Sequence, residues 1–229
     1  MLDLTLREIV VSTVLNDVSV RREVVSKLNN MLTPLSDNLA MEAWESAGFS
    51  APPPPEVKRF VLMRHNIPGS AWVETGTFKG ETSKFLSTFA QFVYTIEPDN
   101  NLFKYAKESF KNINNIQAFL GSSESVLPKL LEKIKFSKIC FWLDGHFSGS
   151  GTYKGENDTP IIMELNCLKE FLLRNVDAKV AILIDDLRLF TGKVHKYGPY
   201  PKTDQLVDWS RELNLSWSIE HDIFIAKRL

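Results

Sequence analysis

Two adjacent carboxylates directly follow a short apolar segment in this sequence of 229 residues. The segment reads Ala-Ile-Leu-Ile, which is typical of a strand buried on both faces, and Asp185 and Asp186 come next. Neighbouring negative charges beside an apolar core are unfavourable unless a cation or hydrogen-bond donors meet them. A second apolar segment, residues 139–143, ends at Asp144, and His146 lies two residues further. Clustered carboxylates favour a hard divalent cation, with Mg²⁺ the default, and a nearby histidine is suited to acid–base chemistry at neutral pH.

Glycine and polar residues follow three earlier apolar segments in the same way. The first lies in VETGTFKGETS, residues 73–83, and its candidate ligand residues are Glu74, Gly76, Thr77, Gly80 and Ser83. Glu97 ends the second segment about 20 residues later, where a carboxylate can accept both hydroxyls of a ribose. The third segment ends at Gly-Ser-Ser, which includes Ser122 and Ser123. Since glycines let a backbone turn sharply and approach a ligand closely, these segment ends predict a nucleoside site.

The spacing of the glycines argues against two common nucleotide sites. A dinucleotide fingerprint needs a second glycine where this chain has Phe78, and a phosphate-binding P-loop needs a lysine where Glu81 follows Gly80. Carboxylates at Glu74 and Glu81 also disfavour a phosphate. A nucleoside that carries an amine and a sulfonium suits this acidic loop better, so we expect S-adenosylmethionine rather than a nicotinamide cofactor.

The elements that position these residues are predicted by the rhythm of the sequence after Ala71. Five short apolar segments alternate with helical patterns, which predicts parallel βαβ units in a doubly wound, Rossmann-like α/β sheet. The last two apolar segments, within residues 215–229, are too close together for a crossover helix. They predict a terminal antiparallel hairpin that turns at His221-Asp222 and completes a seven-stranded sheet. Because the carboxyl ends of parallel strands share one edge, the candidate residues should meet there.

The N-terminal region follows a different pattern. Residues 1–47 carry apolar positions at helical spacing, and four prolines at positions 52–55 cannot continue a helix. We therefore expect a helical extension and a proline-rich linker over residues 1–55, and the main domain over residues 56–229. The apolar stripe of the extension would cover the acceptor site or form a homodimer contact.

The composition of the sequence limits the classes of partner that we expect for the protein. The formal net charge is −1, so no overall field attracts nucleic acid or an anionic membrane. No apolar stretch approaches the about 18 residues that a membrane-spanning helix needs. The two cysteines suit a reducing compartment. These features predict a cytoplasmic protein that acts on a small molecule, without nucleic acid or membrane partners.

Several motifs together resemble the class I S-adenosylmethionine-dependent methyltransferases. They are VETGTFKGETS, YTIEPD, FWLDGHFSGSGT and LIDD, and the likeness covers roughly residues 56–229, including the closing hairpin. The resemblance implies that Glu74, Gly76 and Gly80 line the methionine end of the cofactor. It also implies that Glu97 holds the ribose and that Ser122 or Ser123 borders the adenine. The remaining residues of the predicted cofactor-binding set are Thr77, Ser83 and Asp144.

Within that class, the aspartates resemble those of the metal-dependent O-methyltransferases of the catechol and macrolide-sugar types. Those enzymes place one aspartate after the fourth strand and an acidic pair after the fifth, which implies that Asp144, Asp185 and Asp186 hold the metal here. Asp144 and His146 would then serve catalysis, with His146 as the base that takes the acceptor's proton. The expected reaction is methyl transfer to a hydroxyl of a small molecule or sugar. The catechol enzymes use a lysine nearby, and this loop offers none before Lys154.

Three alternatives stay open at this point. Asp185 or Asp186 could cap the following turn or pair with Arg188 without any metal. His146 could act as base in a metal-independent methyltransferase, or the chain could be a non-catalytic nucleotide-binding module. Residues 147–158, rich in glycine and polar side chains, are expected to form a lid that orders when ligand binds.

Overall fold

The computed structural model describes residues 35–145, 159–195 and 198–229. The chain divides into two compact units, Met1–Val57 and Lys58–Leu229. The predicted domain boundary after residue 55 stays a prediction. The apolar stripe expected near the N-terminus and the expected lid over residues 147–158 lie outside the described residues.

Helices and strands alternate through the second unit as the sequence predicts. In the described part of the chain, two helices precede the sheet, α1 (Leu35–Ser46) and α2 (Pro55–Arg64). The elements that follow are β1 (Ala71–Thr75), α3 (Glu81–Ser87), β2 (Phe92–Glu97), α4 (Asn100–Ser109), β3 (Ile116–Leu120), α5 (Ser123–Lys133), β4 (Lys138–Leu143), α6 (Ile161–Arg174), β5 (Lys179–Ile184), a 3-10 turn (Leu187–Leu189), β6 (Val194–His195), β7 (Gly198–Pro199), α7 (Thr203–Glu212), β8 (Ser216–Glu220) and β9 (Ile223–Arg228). Among the described residues, no helix is long and apolar enough to cross a membrane.

Seven strands form one sheet in the order β3-β2-β1-β4-β5-β9-β8, while β6 and β7 pair separately. The first five of these strands run parallel, and β9 pairs antiparallel with both β5 and β8. His221 and Asp222 connect β8 to β9 with φ values of 45° and 70°, the backbone of a tight hairpin turn of type I′. The predicted doubly wound sheet with a terminal antiparallel hairpin is therefore confirmed.

The central strands are buried because helices cover both faces of the sheet. All five residues of β1 are buried, as are five of the six in β4 and in β5. Phe141 packs into the core on one face, and Trp72 and Trp142 pack into the core on the other. In the register, Leu143 lies opposite both Thr75 and Ile184. Three strands thus end at the same level, so that the residues after them share one edge.

Candidate functional site

The loop from β1 to α3 is a compact turn anchored on the end of β2. Gly76, Phe78 and Gly80 have positive φ values of 87°, 50° and 79°. The backbone N–H groups of Gly76 and Thr77 both donate to the carbonyl of Ile96, at 3.0 and 3.2 Å. These bonds hold the loop directly above the carboxyl end of the sheet.

Both glycines of this loop are required by packing. A Cβ on Gly76 would lie 2.4 Å from the carbonyl oxygen of Asp144, and a Cβ on Gly80 would lie 2.4 Å from the ring of Phe110. Gly76 therefore allows the loop after β1 to touch the loop after β4. The direct approach of these glycines to a cofactor stays a prediction.

Glu74 supports the loop from beneath. Its carboxyl accepts hydrogen bonds from Ser83, at the start of α3, and from Thr95 on β2 at 2.7 Å. Burial raises the pKa of Glu74 to about 8, despite the opposing hydrogen bonds, so the group is largely protonated at neutral pH. A neutral Glu74 weakens the expectation that this carboxylate repels a phosphate by its charge. Thr77 joins the same cluster through a 2.5 Å hydrogen bond between its hydroxyl and that of Thr95.

The side chains of three residues of the predicted cofactor set thus belong to one buried, hydrogen-bonded cluster. Glu74, Thr77 and Ser83 are all at most 3% exposed. Their bonds join β1, β2 and α3, which gives them a supporting role that the sequence analysis did not predict. A contact of any of the three with a cofactor stays a prediction.

Glu97, at the end of β2, joins the loop to the helix that follows it. One carboxyl oxygen accepts from the backbone N–H of Phe78 at 2.7 Å, and the other accepts from Asp99 at 2.9 Å. Burial raises the pKa of Glu97, although these two N–H groups oppose the rise. A carboxylate oxygen has two lone pairs, so each oxygen can accept one further hydrogen bond, such as one from a ribose hydroxyl. Glu97 therefore fixes the loop, and its role as a ribose ligand stays a prediction.

Ser122 and Ser123 lie where β3 passes into α5. Ser122 is the residue before the helix, and its hydroxyl is 3.3 Å from that of Ser125. Ser123 is buried in the first turn. The structure places both at the same edge of the sheet as Glu97, since β2 and β3 are parallel neighbours.

The three predicted metal ligands converge. Asp144, Asp185 and Asp186 can each offer an oxygen, and these atoms lie within 4.8 Å of one another. They meet because β4 and β5 are adjacent and parallel, as predicted. Asp185 and Asp186 are each only 4% exposed. Asp186 has a φ of 56°, a left-handed conformation that costs energy for a residue other than glycine and often marks a functional site.

Cationic side chains contact Asp185 and Asp186. Lys58, on α2, donates from its ammonium to Asp185 and lies 3.7 Å from Asp186. Arg188 bonds Asp186 at 2.6 Å and also bonds Asp222. The pairing of Asp186 with Arg188, which the sequence left open, is therefore present. The capping alternative is wrong for Asp186, because its side chain makes no capping hydrogen bond to the 3-10 turn.

Burial and neighbouring charges shift the pKa values of Asp185 and Lys58 in this cluster. Burial and the neighbouring Asp144 raise the pKa of Asp185 to about 7, although Lys58 acts in the opposite direction. Burial alone would lower the pKa of Lys58, but Asp185, Asp144 and Asp186 together raise it above its ordinary value. Lys58 is therefore a full positive charge at neutral pH, seated among acidic groups.

The sequence analysis missed two further buried polar residues beside this cluster. Glu164, in the first turn of α6, is 2% exposed, and burial raises its pKa to about 7. A Cβ on Gly145 would lie 3.3 Å from its carboxyl and 3.2 Å from the hydroxyl of Thr75. Tyr200 is also buried, and burial together with nearby carboxylates raises its pKa. No sequence signal separates either residue from an ordinary core or surface position.

His146, the predicted base, lies outside the described residues. Its role as the base stays a prediction. Asp144 itself is half-buried, and its backbone N–H donates to the carbonyl of Thr75 at 3.2 Å.

Comparison with known proteins supports the fold. No protein-family model matches the sequence, and none of the curated proteins matches it either. Among solved structures, a precorrin-6y C5,15-methyltransferase from Geobacter metallireducens shares 12% identity over 76% of this chain and 89% of its own, with a TM-score of 0.50.

Two further solved structures match at lower TM-scores. They are a SAM-dependent methyltransferase from Aquifex aeolicus (16% identity, 73% and 86% coverage, TM-score 0.42) and an rRNA methylase from Streptococcus thermophilus (15%, 74% and 92%, 0.44). At such identities a likeness concerns the fold alone. The chain has the Rossmann-like fold of the methyltransferases.

Proposed function

We propose that this protein is an S-adenosylmethionine-dependent O-methyltransferase that acts on a hydroxyl of a small molecule or sugar with the help of a divalent cation. One observation carries the proposal. The glycine loop after β1 touches the backbone of Asp144, and Asp144 in turn belongs to the three-aspartate cluster. A site for an activated methyl donor and a site for an acceptor hydroxyl would therefore share a border.

The donor side is supported by the acidic and polar groups along the sheet edge. Glu97 is fixed by two backbone N–H groups and retains lone pairs for ribose hydroxyls. Ser122 and Ser123 lie beyond the next strand, where an adenine would extend. The loop of Gly76 and Gly80, supported by Glu74, Thr77 and Ser83, would receive the methionine end. A cationic sulfonium suits the acidic end of β4, where Asp144 lies.

The acceptor side is supported by the donor set of the cluster. Three carboxylates are hard oxygen ligands of the kind that Mg²⁺ prefers, and Asp144, Asp185 and Asp186 would hold such an ion. When bound, a divalent ion lowers the pKa of a hydroxyl that it touches and fixes the direction of attack. Burial of Asp185 and Asp186 excludes water from their side of the site. His146 is the proposed base that removes the proton.

A metal-independent methyltransferase is the second candidate, favoured by Lys58. Its ammonium already bonds Asp185, so the cluster contains a cation of its own. In this version His146 alone would activate the hydroxyl.

The test uses the full chain with Mg²⁺ or with EDTA. Binding of S-adenosylmethionine is measured by calorimetry, and methyl transfer is measured with a methyl-labelled donor against a panel of catechols and sugars. We expect cofactor binding in both buffers, and transfer in Mg²⁺ alone. Asp185→Asn should keep cofactor binding and lose transfer, while Asp208→Asn, an exposed helix residue that pairs with Arg211, should behave as wild type.

Three results would separate the candidates. Transfer that persists in EDTA and in Asp185→Asn would favour the metal-independent enzyme. Cofactor binding without transfer to any acceptor would favour the non-catalytic module. Failure to bind S-adenosylmethionine would remove the methyltransferase proposal.

A further inference from the structure

We infer that the Lys58 ammonium is the resident cation of the three-aspartate cluster, and that a divalent metal ion must displace it in order to bind. The inference rests on the proposed function, since it concerns the same carboxylates. It assigns to Lys58, on a helix distant in sequence, control over the metal affinity of the site.

The contacts of Lys58 place its charge beside two of the proposed metal ligands, Asp185 and Asp186. The ammonium bonds Asp185 and is 3.7 Å from Asp186, and both aspartate side chains are at most 5% exposed. Asp144 also acts on Lys58 electrostatically. A cation seated among these carboxylates is an observation independent of the acidic cluster itself, and it shows that the cluster accepts a positive group.

Lys58 and Arg188 are held with different firmness in this cluster. Within the described residues, Lys58 bonds Asp185, and Arg188 bonds Asp186 and Asp222. Arg188 is held by Asp222 as well as by Asp186, whereas Lys58 has a flexible stem and a side chain that is 22% exposed. Lys58 is therefore the cation that can leave.

Displacement of Lys58 by a metal ion costs free energy, and substitution of Lys58 would remove that cost. An incoming divalent ion must break the bond of Lys58 to Asp185 and then tolerate a nearby positive charge. Lys58→Met keeps the apolar stem and removes the charge that competes with a metal for Asp185. The matched control is Arg59→Met, which removes a positive charge from the next position of the same helix, where the side chain pairs with Glu81 at 3.6 Å.

The experiment is a titration of the full chain with Mn²⁺, with free Mn²⁺ measured by electron paramagnetic resonance. We expect Lys58→Met to bind Mn²⁺ at least about tenfold more tightly than wild type, because a competing like charge is removed. Arg59→Met should bind as wild type does, and the addition of Asp185→Asn to Lys58→Met should abolish the gain. If Lys58→Met is unfolded without metal, Mn²⁺ should restore its helical circular dichroism signal.

Equal or weaker Mn²⁺ binding by Lys58→Met would overturn the inference, as would an absence of binding in both proteins or an unfolded variant that Mn²⁺ does not restore. Calorimetry with S-adenosylmethionine on the same samples separates these failures from failure of the proposed function. Cofactor binding without any gain in Mn²⁺ affinity would leave the methyltransferase proposal standing and remove the role of Lys58.

Discussion

Gly76 is the point at which the two halves of the candidate site touch, and its substitution by alanine should show this quantitatively. A Cβ at this position would lie 2.4 Å from the carbonyl oxygen of Asp144 and 2.9 Å from its carbonyl carbon. Both atoms are backbone and directly follow β4, in which five of six residues are buried, so neither can move as a flexible side chain would. Gly69→Ala is the matched control, because Gly69 has a similar φ of 76° and nothing within 4 Å of the added methyl group.

The expected magnitudes follow from two separate costs. Both substitutions force alanine into the left-handed region, at about 1–2 kcal/mol each. Gly76→Ala adds steric overlap with the backbone after β4, which in packed interiors costs about 1–3 kcal/mol more. We therefore expect a loss in the free energy of unfolding of about 1–2 kcal/mol for Gly69→Ala and about 2–5 kcal/mol for Gly76→Ala.

Urea denaturation followed by circular dichroism measures both losses, and Mn²⁺ titration supplies a second readout. Because relief of the overlap moves Asp144, Gly76→Ala should also weaken Mn²⁺ binding, while Gly69→Ala should leave it unchanged. Equal losses of stability in the two variants would refute the claimed contact between the glycine loop and Asp144.

Three further predictions follow from the buried charges. The pKa of Glu74 rises from its ordinary 4.5 to about 8 on folding, so the folded state keeps a proton that the unfolded state releases between these values. Stability should fall as pH rises from about 5 to 8, and Glu74→Gln should flatten this fall in urea denaturation; an unchanged slope would contradict the assignment. Arg188→Met removes the ion pairs of the guanidinium with Asp186 and Asp222 and should cost about 2–4 kcal/mol in unfolding free energy, of which Asp222→Asn recovers part. Glu97→Ala should weaken S-adenosylmethionine binding in calorimetry at least about tenfold, since a charged hydrogen-bond acceptor is removed, and full affinity in this variant would refute its role.

The sheet could be predicted because its signals are local. Each buried parallel strand is a short apolar run, and the helical patterns between runs require crossovers. The predicted turn at His221-Asp222 follows from the short distance between the last two runs. The convergence of Asp144 with Asp185 and Asp186 was predictable for the same reason, since it needs only that the fourth and fifth strands be neighbours.

The finer structure of the site could not be predicted because it depends on contacts between distant residues. Lys58 is 127 positions from Asp185, and nothing in the helical pattern around it indicates a partner. The hydrogen bonds that the buried Glu74 accepts depend on how α3 packs against β2. Sequence reasoning assigned Gly76 and Gly80 to ligand approach, whereas the structure shows the protein groups that each glycine must accommodate.

The measurement that tests the central claim most directly is calorimetric titration of the full chain with S-adenosylmethionine, with 5′-methylthioadenosine as a comparison ligand that lacks the amino acid group. The account predicts saturable one-to-one binding of S-adenosylmethionine, weaker binding of the comparison ligand, and affinities for both that are at least about tenfold lower in Glu97→Ala. Absence of binding to the wild-type chain, or equal binding by wild type and Glu97→Ala, would contradict it.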